Sequence, residues 1–201
     1  MNLDLEIREL LEVMPASGRM LAKVVSRSDL RRVIEVPFPK PWQQERPIYI
    51  NFQFWGELTR PQRDITILRA VSWQAAIRWF KPDLYQWMTL GGVGGAFVEL
   101  VQQDIVGVVV AGGLTAIAAT QIIRANRSSE LEIEADTAAL QVAQRRGYTE
   151  ADAARHLLSA IEAIARIEGR NGLSFIELLR CQNLRSIAGL SATGIPKSFR
   201  S

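Results

Sequence analysis

A chain of 201 residues with 24 basic and 21 acidic side chains carries a formal charge of only +3, which excludes the large basic excess of a phosphate-gripping nucleic-acid binder. A hydrophobic share of 48% against 22% charged residues excludes global disorder and is ample for a core. The single cysteine, Cys181, excludes an internal disulfide and a Cys-rich metal cluster; its apolar neighbours at helical spacing predict a buried structural thiol in a reducing compartment.

Leu3, Leu5, Ile7, Leu10, Leu11 and Met14 recur at the spacing of an amphipathic helix that stops before Pro15. Acids interrupt these leucines, so no cleavable secretory signal is expected. "PASGRM" is a break, and residues 21–25 with Leu30 predict another short helix. Residues 33–36 and 48–52 are rich in β-formers, with Pro37, Pro39 and Pro41 between them. They predict two short strands, paired as a hairpin at the edge of a small sheet.

Thr59, with Gln62 three residues on, opens the next helix as a capping-box pair. It is expected from 61 to about 80, before Pro82. Ile65, Leu68, Val71 or Ser72, Ala75 and Trp79 form its inward stripe.

Residues 84–98 hold no charge, and nineteen uncharged residues run from 105 to 123. A membrane-crossing helix needs roughly 17–25 apolar residues, so the expectation is a two-helix transmembrane hairpin. Trp79, Phe80, Tyr85 and Trp87 would form its interfacial belt. Gly91 with Gly95, and Gly112 with Ala116, would let its helices approach closely. Arg78, Lys81, Arg124 and Arg127 flank the segments, while Glu99 and Asp104 lie between them. That asymmetry places both termini on the cytoplasmic side of an integral membrane protein, or the stromal side of a thylakoid. Competing readings are a glycine-rich hairpin buried in a soluble core, and glycine-rich strands.

Ser128 or Ser129 caps the following helix, whose early acids Glu130, Glu132 and Glu134 oppose the helix dipole. Gly147 closes it, and Thr149 with Asp152 opens the next, with Ala153, Leu157, Ala160, Ile161 and Ile164 inward. Ser174 and Glu177 form a capping box for a last helix from 175 to about 188. The tail "GIPKSFRS" reads as loosely ordered. The expected fold class is mainly α (α+β): a helical domain with a small β-hairpin or sheet and an inserted two-helix transmembrane hairpin. Its stretches are 1–83, 84–123 and 124–201, the first and last completing one domain.

The segments "IYINFQFWGELTRPQRDITILRAVSW" and "SSELEIEADTAALQVAQRRGYTEADAA", with the apolar hairpin between them, resemble the HtpX-type membrane zinc metallopeptidases across roughly residues 46 to 165. The resemblance implies a metallopeptidase-like domain in which Glu132 matches the third zinc ligand. Asp136 matches the aspartate supporting a histidine ligand, and Gly147 with Tyr148 match a turn. The H-E-x-x-H window falls on Arg69, Ala70, Val71, Ser72 and Trp73. Two histidines four apart would hold zinc on one helical face, with the glutamate between them activating water. Arg69 is a permanent cation, Ala70 replaces the catalytic glutamate, and Trp73 offers an N–H donor with no lone pair. The one histidine, His156, reads as structural, and no metal or other cofactor is expected.

An Arg69–Glu132 or Arg69–Asp136 ion pair in place of metal is one reading of these positions. The other is that both acids merely cap and solubilise their helix. Residues 48–54, which would lie beside a peptidase cleft, are expected as an exposed edge able to pair with a peptide strand. "LLEVMPASGRM", "RPIYINF", "WFKPDLYQ" and "RCQNLRSIAGLS" also resemble an uncharacterised membrane-protein family of cyanobacteria, which implies a thylakoid or plasma membrane.

The expected function is therefore a non-catalytic, membrane-anchored protein on a degenerate peptidase scaffold. It would bind lipid and a membrane protein partner, in assembly, stability or quality control of photosynthetic membrane complexes, with no role for nucleic acid. Two alternatives stand beside it. One is a hydrolase of different chemistry, drawing on Ser72, Glu132, Asp136, Asp152 and His156. The other is a soluble helical structural protein.

Overall fold

In the computed structural model the described residues are 3–40, 43, 45–77 and 129–190. The chain divides into two compact units, Met1–Ala76 with Glu132–Ser201, and Ile77–Leu131; the elements below belong to the first, apart from the opening residues 129–131 of the helix that begins at Ser129.

Helix α1 (Leu3–Val13) ends where Pro15 forbids continuation, and the short α2 (Ala16–Leu21) follows at once. Strand β1 (Ala22–Ser26) runs directly out of α2. Strand β2 (Ile34–Glu35) and strand β3 (Arg46–Ile50) complete a three-stranded sheet of order β1-β3-β2. β3 pairs parallel with β1, Val24 opposite Ile48, and antiparallel with β2, Ile34 opposite Ile50.

Three expectations are corrected here. "AKVVS" is a strand, because its β-branched residues gain a partner in β3 that short-range pattern cannot reveal. The sheet is a mixed three-stranded sheet rather than a hairpin. Residues 48–54 are not an open edge: β3 is flanked on both sides, and the chain turns into helix α3 (Phe52–Trp55). Asn51 ends the strand by accepting the Gln53 N–H at 3.1 Å and donating to the Leu30 carbonyl at 2.9 Å. Trp55 is fully buried, its Nε1 donating to Glu6 at 3.2 Å.

Helix α4 (Arg60–Ala76) is the spine. Gln62 Oε1 accepts the Thr59 N–H at 2.9 Å at its start. Ile65 and Leu68 face one apolar cluster with Leu140, Leu157 and Leu184. Ile67, Ala70 and Val71 face a second, with Leu10, Met14, Ile48 and Trp55. Helix α5 (Ser129–Gln144) is stopped by Gly147, whose φ of +95° suits a residue without Cβ. Helix α6 (Glu150–Ile167) carries the Thr149 cap, and helix α7 (Phe175–Ile187) carries the complete Ser174–Glu177 capping box. α6 packs against both α4 and α7. On α4, Gln74 is buried while Ala75 is exposed, so the inward stripe drifts from its expected line toward the helix end.

The expected transmembrane hairpin is also corrected. Trp79, Phe80, Tyr85, Trp87, Gly91, Gly95, Gly112 and Ala116 all lie outside the described residues. Among the described residues no helix is long and apolar enough to cross a membrane. The apolar run between 84 and 123 suggested a span on hydropathy alone, and it lies outside the described residues. The fold is mainly helical with a small three-stranded sheet, and integral-membrane placement is withdrawn.

Candidate functional site

The charged residues that the apolar stripes cannot account for converge where α4, α5 and α7 meet. Arg69, on α4 one residue past Leu68, points its Nη2 at Glu132 of α5, forming a close ion pair. Its Nε stands 3.4 Å from Asp136 Oδ1. Trp73, one turn further along α4, donates its Nε1 to the other oxygen of Glu132 at 2.8 Å. Two donors four residues apart thus hold one carboxylate, by the i, i+4 geometry that puts them on one helical face. Ala70, between them, is buried in the second apolar cluster.

Asp136 lies one turn after Glu132 and is wholly buried. Arg180 of α7 grips it with Nε at 2.7 Å and Nη2 at 2.8 Å, a two-point charged contact. A buried carboxylate is costly unless paired and hydrogen-bonded, and this one is held by two guanidiniums. Burial and the neighbouring Arg180 charge pull the Arg69 pKa down to about 10, while Asp136 pushes the other way. Arg69 therefore stays cationic at neutral pH. Beside this cluster, Arg170 holds Glu177 at 2.8 and 2.9 Å and reaches Glu168 at 2.9 Å. Glu168 in turn accepts the Val33 N–H at 3.0 Å, tying the end of α6 to the residue before β2.

Arg69, Glu132, Arg170, Glu177 and Arg180 of these pairs line a cavity of about 520 Å³. Apolar residues line it as well: Ala160, Ile161 and Ile164 of α6 and Val36 after β2. The structure thus brings Arg69, Ala70, Trp73, Glu132 and Asp136 together. Of the other residues proposed for hydrolase chemistry, Asp152 and His156 are engaged with different partners. Asp152 is occupied with Thr149 at 2.6 Å and Arg155 at 3.1 Å. His156 packs edge-on against Tyr148, ring centroids 5.9 Å apart. Cys181 is buried, and burial first, with Glu162 adding to it, raises its thiol to about 11, far from a reactive thiolate.

Arg180 escaped the sequence reading although its signal was present. It sits four residues before Leu184 and beside Cys181, both buried, so a guanidinium at inward spacing implied a buried acid opposite. Arg170 was missed because it lies in a turn, where pattern says little. Among the described residues no group of three His, Cys, Asp or Glu side chains could hold a metal ion.

Residues 8–148 match a protein family of unknown function, DUF3318. The chain belongs to that family. The DUF3318 match covers α4 and the whole of α5, and with them Arg69, Trp73, Glu132 and Asp136; it ends before Arg180. No curated protein and no solved structure matches the chain. The descriptors transmembrane and metallopeptidase-like are accordingly corrected to a mainly helical chain of an uncharacterised family.

Proposed function

We propose that this protein acts by binding another protein and carries no zinc-peptidase chemistry. One observation carries the reading: Arg69 and Trp73 together occupy both oxygens of Glu132, and Arg69 also faces Asp136. Carboxylates engaged in this way have their lone pairs directed at N–H donors, not at a cation, and a guanidinium repels any metal brought near. The cluster joins three helices instead, and leaves beside it a formed cavity suited to a ligand. Its role would be in the assembly, stability or quality control of a larger complex. The resemblance to a cyanobacterial family points to a photosynthetic one.

We infer ancestry separately from function. The resemblance of the Glu132 to Asp136 segment to HtpX-type enzymes is supported by Arg69 and Trp73 facing these acids at the spacing of a lost histidine pair. The combined substitutions Arg69→His, Ala70→Glu and Trp73→His test both points. The triple variant should gain about one equivalent of tightly held zinc, measured by metal analysis after dialysis, since His₂Glu sets are competent zinc ligands. The wild type should hydrolyse no casein with or without added zinc. Chelator-sensitive hydrolysis by the wild type would overturn the functional reading, and a triple variant that folds but holds no zinc would overturn the ancestry.

A further inference from the structure

We propose that the cavity beside the Arg69 cluster is the docking site for a short polypeptide segment of the protein partner. It would accept apolar side chains, one of them ending in a hydrogen-bonding group. This rests on the binding reading above and names its site.

The volume, about 520 Å³, lies in the range of formed ligand sites, roughly 300–1,000 Å³, and exceeds what a single side chain fills. Leu157, Ala160, Ile161 and Ile164 make an apolar wall along α6, and Trp73 lends its indole. Thr66, on α4, also lines the cavity, and its hydroxyl is buried with no hydrogen-bond partner among the described residues. A buried hydroxyl left unpaired costs free energy that a ligand donor or acceptor would recover. Apolar bulk plus one polar tip is therefore the chemistry the cavity asks for.

Charge argues against the commonest small ligands. Four arginines and four glutamates line the cavity, so it offers no net positive field for a nucleotide or polyphosphate. Arg69, Arg170 and Arg180 are each already engaged by carboxylates. Arg32 and Glu35 remain, one cation and one anion, a mixed pair suited to a polypeptide carrying both signs.

The surface beyond the cavity points to a macromolecule. Ser174 and Glu177 line the cavity from the first turn of α7. On the same turn Phe175 is 78% exposed, and Ile176 and Leu178 are each 40% exposed. Phe175, Ile176 and Leu178 are chain neighbours of the cavity-lining Ser174 and Glu177, and exposed apolar surface next to a pocket extends contact past the reach of a small molecule, as at interaction sites.

The test uses the full-length protein and a phage-displayed library of random heptapeptides. Enriched peptides are synthesised with a fluorophore, and binding is read by anisotropy against wild type and variants whose folding is checked by circular dichroism. The enriched sequences should share an apolar or aromatic residue. Ile164→Trp, which adds bulk to the cavity from a half-buried lining position, should weaken binding by about tenfold or more. Thr66→Val, nearly isosteric and gentle on folding, should weaken it by roughly three- to tenfold. Phe175→Ser with Ile176→Ser should weaken it too, and peptide addition should shift the Leu157 and Ile161 methyl resonances. A library that yields no enriched sequence overturns the proposal. So do enriched peptides that bind wild type, Ile164→Trp and Thr66→Val equally; in that case the binding reading survives and only this site falls.

Discussion

Arg170 and Glu177 show how single residues here combine fold and charge. Glu177 closes the capping box of α7, accepting the Ser174 N–H at 2.8 Å, and also takes both nitrogens of Arg170. Burial alone would raise its carboxyl. The Arg170 and Ser174 hydrogen bonds outweigh that and bring it from the ordinary 4.5 to about 2. The folded form thus holds fewer protons than the unfolded chain between those values, so stability is present above pH 4.5 and lost as pH falls toward 2. Denaturation midpoints measured from pH 6 to roughly 2.5 should fall on acidification. Glu177→Gln should lower the midpoint near neutrality and flatten that acid limb. An acid limb unchanged by Glu177→Gln would show that the interaction contributes nothing to folding. The partnering of Glu177 by Ser174 was readable from the sequence, because a capping box is local. The Arg170 contact was not, since it depends on how the turn after α6 folds back.

At the level of elements, legibility followed the range of the interaction. The helices announced themselves through periodicity and caps. Thr149, Ser174 and Gly147 act where the sequence placed them, and the Leu10 and Met14 face of α1 is buried. β1 did not announce itself, because five residues of mixed apolar pattern fit a strand or a helical turn until a distant partner decides. Gly18 was equally silent: within "PASGRM" it reads as a breaker, yet it is where α2 approaches α4. A Cβ there would stand 2.4 Å from Val71 Cγ1. Gly18→Ala should therefore destabilise the fold by about 1–3 kcal/mol through overpacking, despite the better helix propensity of alanine. A rise in thermal midpoint would show that the α2–α4 approach is looser than described.

On the scale of the whole unit, α4 separates two apolar clusters and the charged residues stitch its flanks to the elements around it. The sheet and α1 sit with one cluster, and α5, α6 and α7 with the other. Half of the candidate site could be read in advance, because Arg69, Trp73, Glu132 and Asp136 stand at spacings that a known motif family made conspicuous. The other half, Arg180 and the α6 wall of the cavity, comes from helices that only tertiary packing brings alongside. The central claim is that Asp136, buried between Arg69 and Arg180, holds α4, α5 and α7 together as one ion-paired unit. The most direct measurement is urea unfolding of the wild type and Asp136→Asn at neutral pH, with circular dichroism as readout. Removing one charge from a buried, paired cluster leaves the others uncompensated and typically costs about 3–5 kcal/mol. A loss of that size, in a single transition, is the expected result. A loss below about 1 kcal/mol, the worth of an exposed pair, would contradict the claim.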